Sequence, residues 1–304
     1  MTQLTTLQTG NFAEMAKMMG ISEEGSSKSS SSKLPRLRIH RDAIMGTAEV
    51  NGKKVNVEVL PGGSYRLDIP DVGYYYASSV VIRPHLQRFM YKRYVQAKGN
   101  DKGYYVKSLM TDNAKMNVDL KDDRGGFNCG KQAGYIQDFN ALSEAMKTAI
   151  REIKRVRVIF GEVDFIDPID EDGNPVELET KPFIWEIDNK ESFKELGTVF
   201  ETFMKNQQLP VWHKVTCTAA ERKIPTGAVY YVADTSLNLR EPVEAGEEQE
   251  KLFADFASWV ERYNDSIISK WSEVRQKEKD EMSEEDINII ENLVDVEVEE
   301  DIAL

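Results

Sequence analysis

Tyr74-Tyr75-Tyr76 precedes Arg83, and Arg88-Phe89-Met90-Tyr91-Lys92-Arg93-Tyr94 interleaves rings and cations almost residue by residue. Tyr104, Tyr105 and Lys107 follow, then Arg124, Phe127, Lys131 and Tyr135, then Lys154, Arg155 and Arg157. Residues of these two kinds, mixed in this way, suit a single-stranded polyanion. Cations neutralise phosphates and rings stack on bases, each stacked base contributing about 1–3 kcal/mol. On a strand, Arg88, Lys92 and Tyr94 share one face, and Phe89, Tyr91 and Arg93 share the other. One face can therefore bury its rings while the other presents cations and a ring. Any single ring among them also serves as ordinary sheet core. The cations are harder to account for that way, because a solvated surface normally mixes signs.

Other constellations are weaker. Gly125-Gly-Phe-Asn-Cys-Gly130-Lys131 has the Gly-x4-Gly-Lys spacing of a phosphate loop, but Gln132 stands where Ser or Thr would bind magnesium. Lys121-Asp-Asp-Arg124 leads into it instead of a hydrophobic strand. It reads as a Gly-rich loop whose amides and Lys131 can touch a phosphate, or as a plain loop. His213 and Cys217 lie four residues apart, yet two ligands do not make a zinc site. Asp167, Asp170, Asp172 and Asn174 begin like a calcium loop without the Gly and terminal Glu spacing, so a polar hairpin turn is preferred. No nucleophile–base pair stands out, and neither an enzyme activity, a cofactor nor a metal is expected.

The charge is split between the two halves. Residues 34–160 hold 22 Lys and Arg against 13 Asp and Glu, a balance of +9. Residues 161–304 hold 14 against 36, a balance of −22, and the overall net charge is −13. A basic front half suits a polyanion, and an acidic end imitates one. Cys129 and Cys217 form no disulfide framework, no apolar run approaches the roughly 18 residues of a transmembrane helix, and no signal-peptide pattern opens the chain. A cytoplasmic protein is expected.

These residues need elements to hold them. Residues 11–19 place Phe12, Met15 and Met19 on one side of a short helix, able to dock on its own body or on a neighbouring subunit. The Ser-rich stretch to residue 33 is a linker by composition. Strands are expected at 47–50 and 55–60 around the Asn51-Gly52 turn, then at 65–69, 73–82 and 85–95. Residues 96–135 read as a mobile excursion and 138–154 as a helix. Strands at 156–166 and 182–187, a helix at 191–205 capped by Asp188 or Asn189, and strands at 211–218 and 227–232 come next. Long strand, strand, strand, helix, strand, strand is the order of an OB-fold. The expected fold is therefore α+β, mainly β: an OB-fold-like five-stranded barrel over residues 34–243 with a long insertion at 96–155. Helices at 244–293 follow, with a stripe from Leu252 to Trp271 that packs on the barrel, and an acidic tail at 294–304 closes the chain.

With the basic aromatic segment, this strand order and the tail Glu297–Leu304, the chain resembles the single-stranded DNA-binding proteins of bacteriophages. That resemblance implies a protein that coats transient single strands during replication, recombination and repair. Its DNA contacts would be drawn from Tyr74, Tyr76, Arg83, Arg88, Tyr91, Lys92, Arg93, Tyr94, Tyr105, Lys107, Arg124, Phe127, Lys131, Tyr135, Lys154, Arg155 and Arg157. Its tail, through Glu297, Glu299, Glu300, Asp301, Ile302 and Leu304, would recruit polymerase and helicase or primase and compete for the DNA cleft. The N-terminal segment is similar in position to the self-association segment of some members. The cysteine and histidine zinc pattern of one subclass is missing. A structural or assembly protein with a β-barrel and an acidic tail, and a nucleotide-processing enzyme built on the Gly125–Lys131 loop, remain as alternatives.

Overall fold

The computed structural model describes residues 34–50, 53–97, 102–131 and 136–281. The N-terminal helix and linker, the Asn51-Gly52 turn, Tyr135 and the acidic tail lie outside the described residues. Strand outweighs helix, so the chain is α+β, mainly β. The strands are β1 (Arg36–Ile39), β2 (Ile44–Val50), β3 (Lys53–Leu60), β4 (Tyr65–Ile69), β5 (Gly73–Ala77), β6 (Ser79–Val95), β7 (Tyr104–Lys107), β8 (Ile153–Ile166), β9 (Lys181–Ile187), β10 (Val215–Lys223) and β11 (Val229–Leu237). The helices are α1 (Glu144–Glu152), α2 (Lys190–Lys205) and α3 (Glu247–Glu281).

Nine strands form one sheet in the order β11-β10-β6-β8-β9-β1-β4-β5, with β7 added to β6. Its ladders are antiparallel except for β1 on β9, where Arg36 pairs with Ile184. The β2–β3 hairpin forms a separate sheet. The large sheet curls, because Tyr65 of β4 donates its hydroxyl to the Thr218 carbonyl of β10 at 2.9 Å across four intervening strands. No ladder closes the curl among the described residues, so the closed five-stranded barrel expected from the strand order is not what the sheet displays. β1 stands beside β9, where a closing strand would pair.

The 17-residue β6 is the spine of the sheet. A bulge between Pro84 and Leu86 interrupts its pairing with β8. Proline has no amide hydrogen to give a ladder, so a bulge accommodates it. Opposite, Gly161 allows the two backbones to approach: a Cβ there would stand 2.2 Å from the Arg83 carbonyl oxygen. The extra residue inverts the facing of the strand. Val80 and Ile82 face the main core before the bulge; Phe89 and Tyr91 face that side after it.

Two helices cover the two faces of this region. Asn189 caps α2, its side-chain oxygen accepting from the amides of Glu191 and Ser192 at 2.9 and 3.0 Å. Its Leu196, Val199, Phe200 and Phe203 then pack with Ile159, Phe183 and Trp185 in the main core. α3 lies on the opposite face, where Phe256 and Val260 meet Met90, Val156, Val158 and Phe160. The stripe from Leu252 therefore packs as the periodicity implies.

Several boundaries differ from the sequence reading. The expected strand at 73–82 breaks at Ser78 into β5 and the start of β6. Residues 210–212 form a 3-10 turn, so β10 begins at Val215. The helix expected at 138–154 is shorter: the Ser143 hydroxyl accepts from the Met146 amide at 3.3 Å and starts α1 there. The 96–135 excursion carries β7 and its own small core of Val106, Met116, Leu120 and Cys129 beneath Phe89 and Tyr91.

Candidate nucleic-acid interface

The candidate residues converge where β6, β7 and β8 extend beyond the main core. Lys92 of β6 pairs in register with Lys107 of β7 and with Lys154 of β8, and Tyr94 pairs with Tyr105. Cross-strand partners share a face, so three lysines and two tyrosines emerge together on the α3 side. Tyr94 and Tyr105 are 46% and 52% exposed, with ring centres 5.0 Å apart. The Lys92 ammonium stands 4.6 Å from the centre of the Tyr105 ring. Lys154 is exposed and has no ion pair among the described residues.

Glu186 of β9 sits inside this patch. It accepts from Arg36 and Lys92 at 3.0 Å each and from Lys107 at 3.2 Å. Burial pushes its carboxyl upward, but Lys107, Lys92 and Arg36 outweigh that and bring it down to about 2. Burial in turn holds the Lys107 ammonium below its usual value, although Glu186 opposes the shift. Three cations meet one carboxylate, so the patch remains positive.

The opposite face carries a second group. Arg155 lies 5.0 Å from the Phe193 ring centre, Arg157 lies 4.6 Å from Phe193 and 5.0 Å from Phe89, and Lys131 lies 5.2 Å from Tyr91. Arg157 donates Nε to the Phe193 carbonyl at 3.2 Å and also bonds the Gln87 side chain. Arg155 bonds the Ala114 carbonyl. None of the three cations has a carboxylate within ion-pair distance among the described residues. The crowding shows in their protonation. Burial and then Arg155 lower Arg157 to about 10, Glu201 offsetting a little, and burial and then Arg155 lower Lys131. Arg93 on this face is paired with Glu152 at 3.0 Å.

The remaining candidates are placed elsewhere. Tyr74 lies under the Arg66 guanidinium at 4.3 Å, and Tyr76 is buried with Ile44 and Ile169. Arg83 is spent on the Val211 and Glu244 carbonyls and approaches Glu162 at 3.9 Å. Arg88 donates to the Gln87 carbonyl at 2.9 Å. Arg124 covers the Tyr104 ring at 4.3 Å, and Phe127 packs on Trp271 of α3 at 5.8 Å. Tyr91 is 3% exposed, so its ring backs Lys131 and offers no stacking surface of its own. Phe193 and Glu186 were not singled out as site residues. Phe193 shares a helix face with Leu196, Phe200 and Phe203, and Glu186 is a single carboxylate in an apolar strand, so neither carries a binding signal in the sequence.

The Gly125–Lys131 loop has its amides occupied from within. The buried Asp122 carboxylate accepts from the backbone of Arg124 and Gly126 at 3.0 Å and of Cys129 at 3.1 Å. An internal anion holds the position a phosphate would need. At the 167–174 turn, Asp170 accepts from the Asp172 and Asn174 amides, as a polar hairpin turn requires. His213 stacks on Phe203 at 5.5 Å, and both cysteines are buried, free and held protonated by burial. Among the described residues no three potential metal ligands cluster, and no helix is long and apolar enough to cross a membrane.

Compared with protein families, curated proteins and solved structures, the chain matches none.

Proposed function

We propose that this chain binds single-stranded DNA without sequence preference and coats it during replication, recombination and repair. The observation that carries the proposal is the Lys131–Arg155 pair with the buried Arg157 behind it, cations backed by Phe193, Tyr91 and Phe89 with no described carboxylate partner. Like charges held together at partial burial cost free energy that a bound polyanion offsets. The exposed Tyr94–Tyr105 pair beside Lys92 supplies stacking surface one strand-face away. Such rings tolerate any base, since every base has a π-face.

An OB-fold-like reading accords with the ladders. β6 to β8, β8 to β9, β10 back to β6 and β11 to β10 are four of the pairings such a barrel uses, with α2 between its third and fourth strands. β1 beside β9 would stand in for the fifth. The acidic tail is assigned to recruitment of replication partners in the host-cell cytoplasm, as in the bacteriophage proteins the sequence resembles. The assignment is to binding and not to catalysis.

The test is a titration of fluorescent oligo-dT and of a matched duplex at two salt concentrations. Binding should favour the single strand and weaken with salt, each neutralised phosphate contributing a slope of roughly −0.7 in log K against log salt. Absence of binding at low salt, or equal preference for the duplex, refutes the proposal.

A further inference from the structure

The curled sheet leaves a seam between β1 and β11, and the seam is hollow. A cavity of about 550 Å³ there is bordered by Ile39, Arg41, Ile224, Val229, Tyr230 and Tyr231. A second, of about 230 Å³, shares Ile39 and Tyr231 with the first and is bordered also by Trp185, Glu186 and the capping residue Asn189. Small-molecule sites span about 300–1,000 Å³, with mainly apolar and aromatic walls and few polar groups. Glu186, whose carboxylate Lys92 and Lys107 hold on the α3 side of β9, is thus a residue shared by the border of this cavity and the positive patch.

Tyr231 is positioned in advance. The Pro61-Gly62-Gly63 turn packs on its ring: a Cβ on Gly63 would stand 2.5 Å from Tyr231 Cδ1, and one on Gly62 would stand 2.6 Å from its hydroxyl oxygen. Gly63 also has φ +92°, a conformation that glycine adopts freely and residues with side chains rarely do. Two glycines thus clamp an aromatic ring that borders both cavities. The Arg41 guanidinium, on an exposed residue, has no ion pair among the described residues. Of the acids near the hairpin, Glu191 is engaged by the Tyr230 hydroxyl and by Arg222 at 3.4 Å, and Glu221 by Lys223 at 3.3 Å.

Resting on the function proposed above, we infer that this seam is a nucleotide subsite. One base of the single strand enters the larger cavity against the clamped Tyr231, Tyr230 borders its rim, and Arg41 meets the adjoining phosphate. The strand thereby runs from the Tyr94–Tyr105 pair over the neutralised Glu186 into the seam.

Photocrosslinking with an oligo-dT carrying 5-iodo-deoxyuridine at every third position, followed by tryptic mapping of the full chain, tests this. Adducts are expected in the peptide 224–240 that holds Tyr230 and Tyr231, alongside those at 94–98 and 103–107. Arg41→Gln, and separately Tyr230→Leu, should weaken oligo-dT binding roughly tenfold and diminish the 224–240 adduct while sparing the others. Arg41 is exposed, so its variant keeps the fold even if the tyrosine variant is destabilised. Wild-type binding with adducts at 94–98 and 103–107 alone, and normal affinity for Arg41→Gln, overturns the seam assignment and leaves the function standing. Absence of wild-type binding overturns both. Equal labelling of 224–240 by free 5-iodo-dUMP at the same nucleotide concentration overturns the strand path in favour of a free-nucleotide site.

Discussion

The Arg157 guanidinium lies 4.6 Å from the centre of the Phe193 ring, and the Phe193 carbonyl accepts its Nε at 3.2 Å. One strand residue is thereby fastened to the first turn of α2, at the border between the main core and the cationic face. Burial lowers the Arg157 side chain to about 10, yet it stays charged at neutral pH. A charge retained at that cost beside Arg155 makes this border the place to probe first.

Gly197 of α2 faces Arg157, and a Cβ there would stand 2.8 Å from its Nη2. Gly197→Ala should displace the guanidinium while gaining about 1 kcal/mol of helix propensity. The melting temperature should hold or rise, and single-strand affinity should fall several-fold. Unchanged affinity in a titration would mean that Arg157 only fastens α2.

Lys131→Gln combined with Arg155→Gln removes two cations that have no described carboxylate partner. Affinity for oligo-dT at low salt should drop, and the salt slope should flatten by roughly 0.7 per lost phosphate contact. Denaturant melts should change by less than about 1 kcal/mol, since no ion pair is broken.

Lys131 also predicts a pH response. Its ammonium is held below the usual lysine value of about 10.4 by burial and by Arg155. Binding that uses its charge must therefore weaken as pH rises through that lowered value. Lys131→Arg keeps its charge to higher pH, so its affinity should lack this alkaline decline; parallel curves for the two proteins would exclude Lys131 from the contact.

Tyr94→Ala and Tyr105→Ala each remove an exposed ring. Loss of one stacked base costs about 1–3 kcal/mol, which is roughly 5- to 150-fold in affinity. Thermal stability should move little, because both rings are about half exposed. Unaltered binding in the double variant would remove this pair from the DNA path.

Glu186→Gln leaves Arg36, Lys92 and Lys107 without their shared carboxylate. In the folded protein this carboxyl titrates at about 2, against about 4.3 unfolded. Its stabilisation is present above pH 4.3 and is lost as pH falls towards 2, about 3 kcal/mol in all by linkage. The variant should be less stable at neutral pH, and the two stability curves should converge towards pH 2. A constant gap in denaturant melts between pH 7 and pH 2.5 would contradict this.

Periodicity and composition alone determined much of this chain. The Asn189-capped helix with Leu196, Phe200 and Phe203 on one side, the apolar stripe of α3, and the strands near 85–95, 156–166 and 182–187 were legible, because each rests on a pattern among residues close in sequence; β7, inside the 96–135 excursion, was not. The facing of Arg88, Lys92 and Tyr94 against Phe89, Tyr91 and Arg93 was legible for the same reason, within one unbroken stretch of strand. What depended on long-range pairing was not. The bulge at Pro84 inverts β6 only because Gly161 lets the opposing backbone approach, and that partner lies more than seventy residues away. Tyr76 and Arg83 carry the same local signature as Tyr94 and Lys92; packing against Ile169, and carbonyls of Val211 and Glu244, decided that they serve the fold. Charge counting located a positive region, but tertiary structure decided which cations are neutralised, since Glu186 reaches Lys92 and Lys107 while no described carboxylate reaches Lys131, Arg155 or Arg157. Coulomb attraction acts through space, and the sequence orders residues along a line.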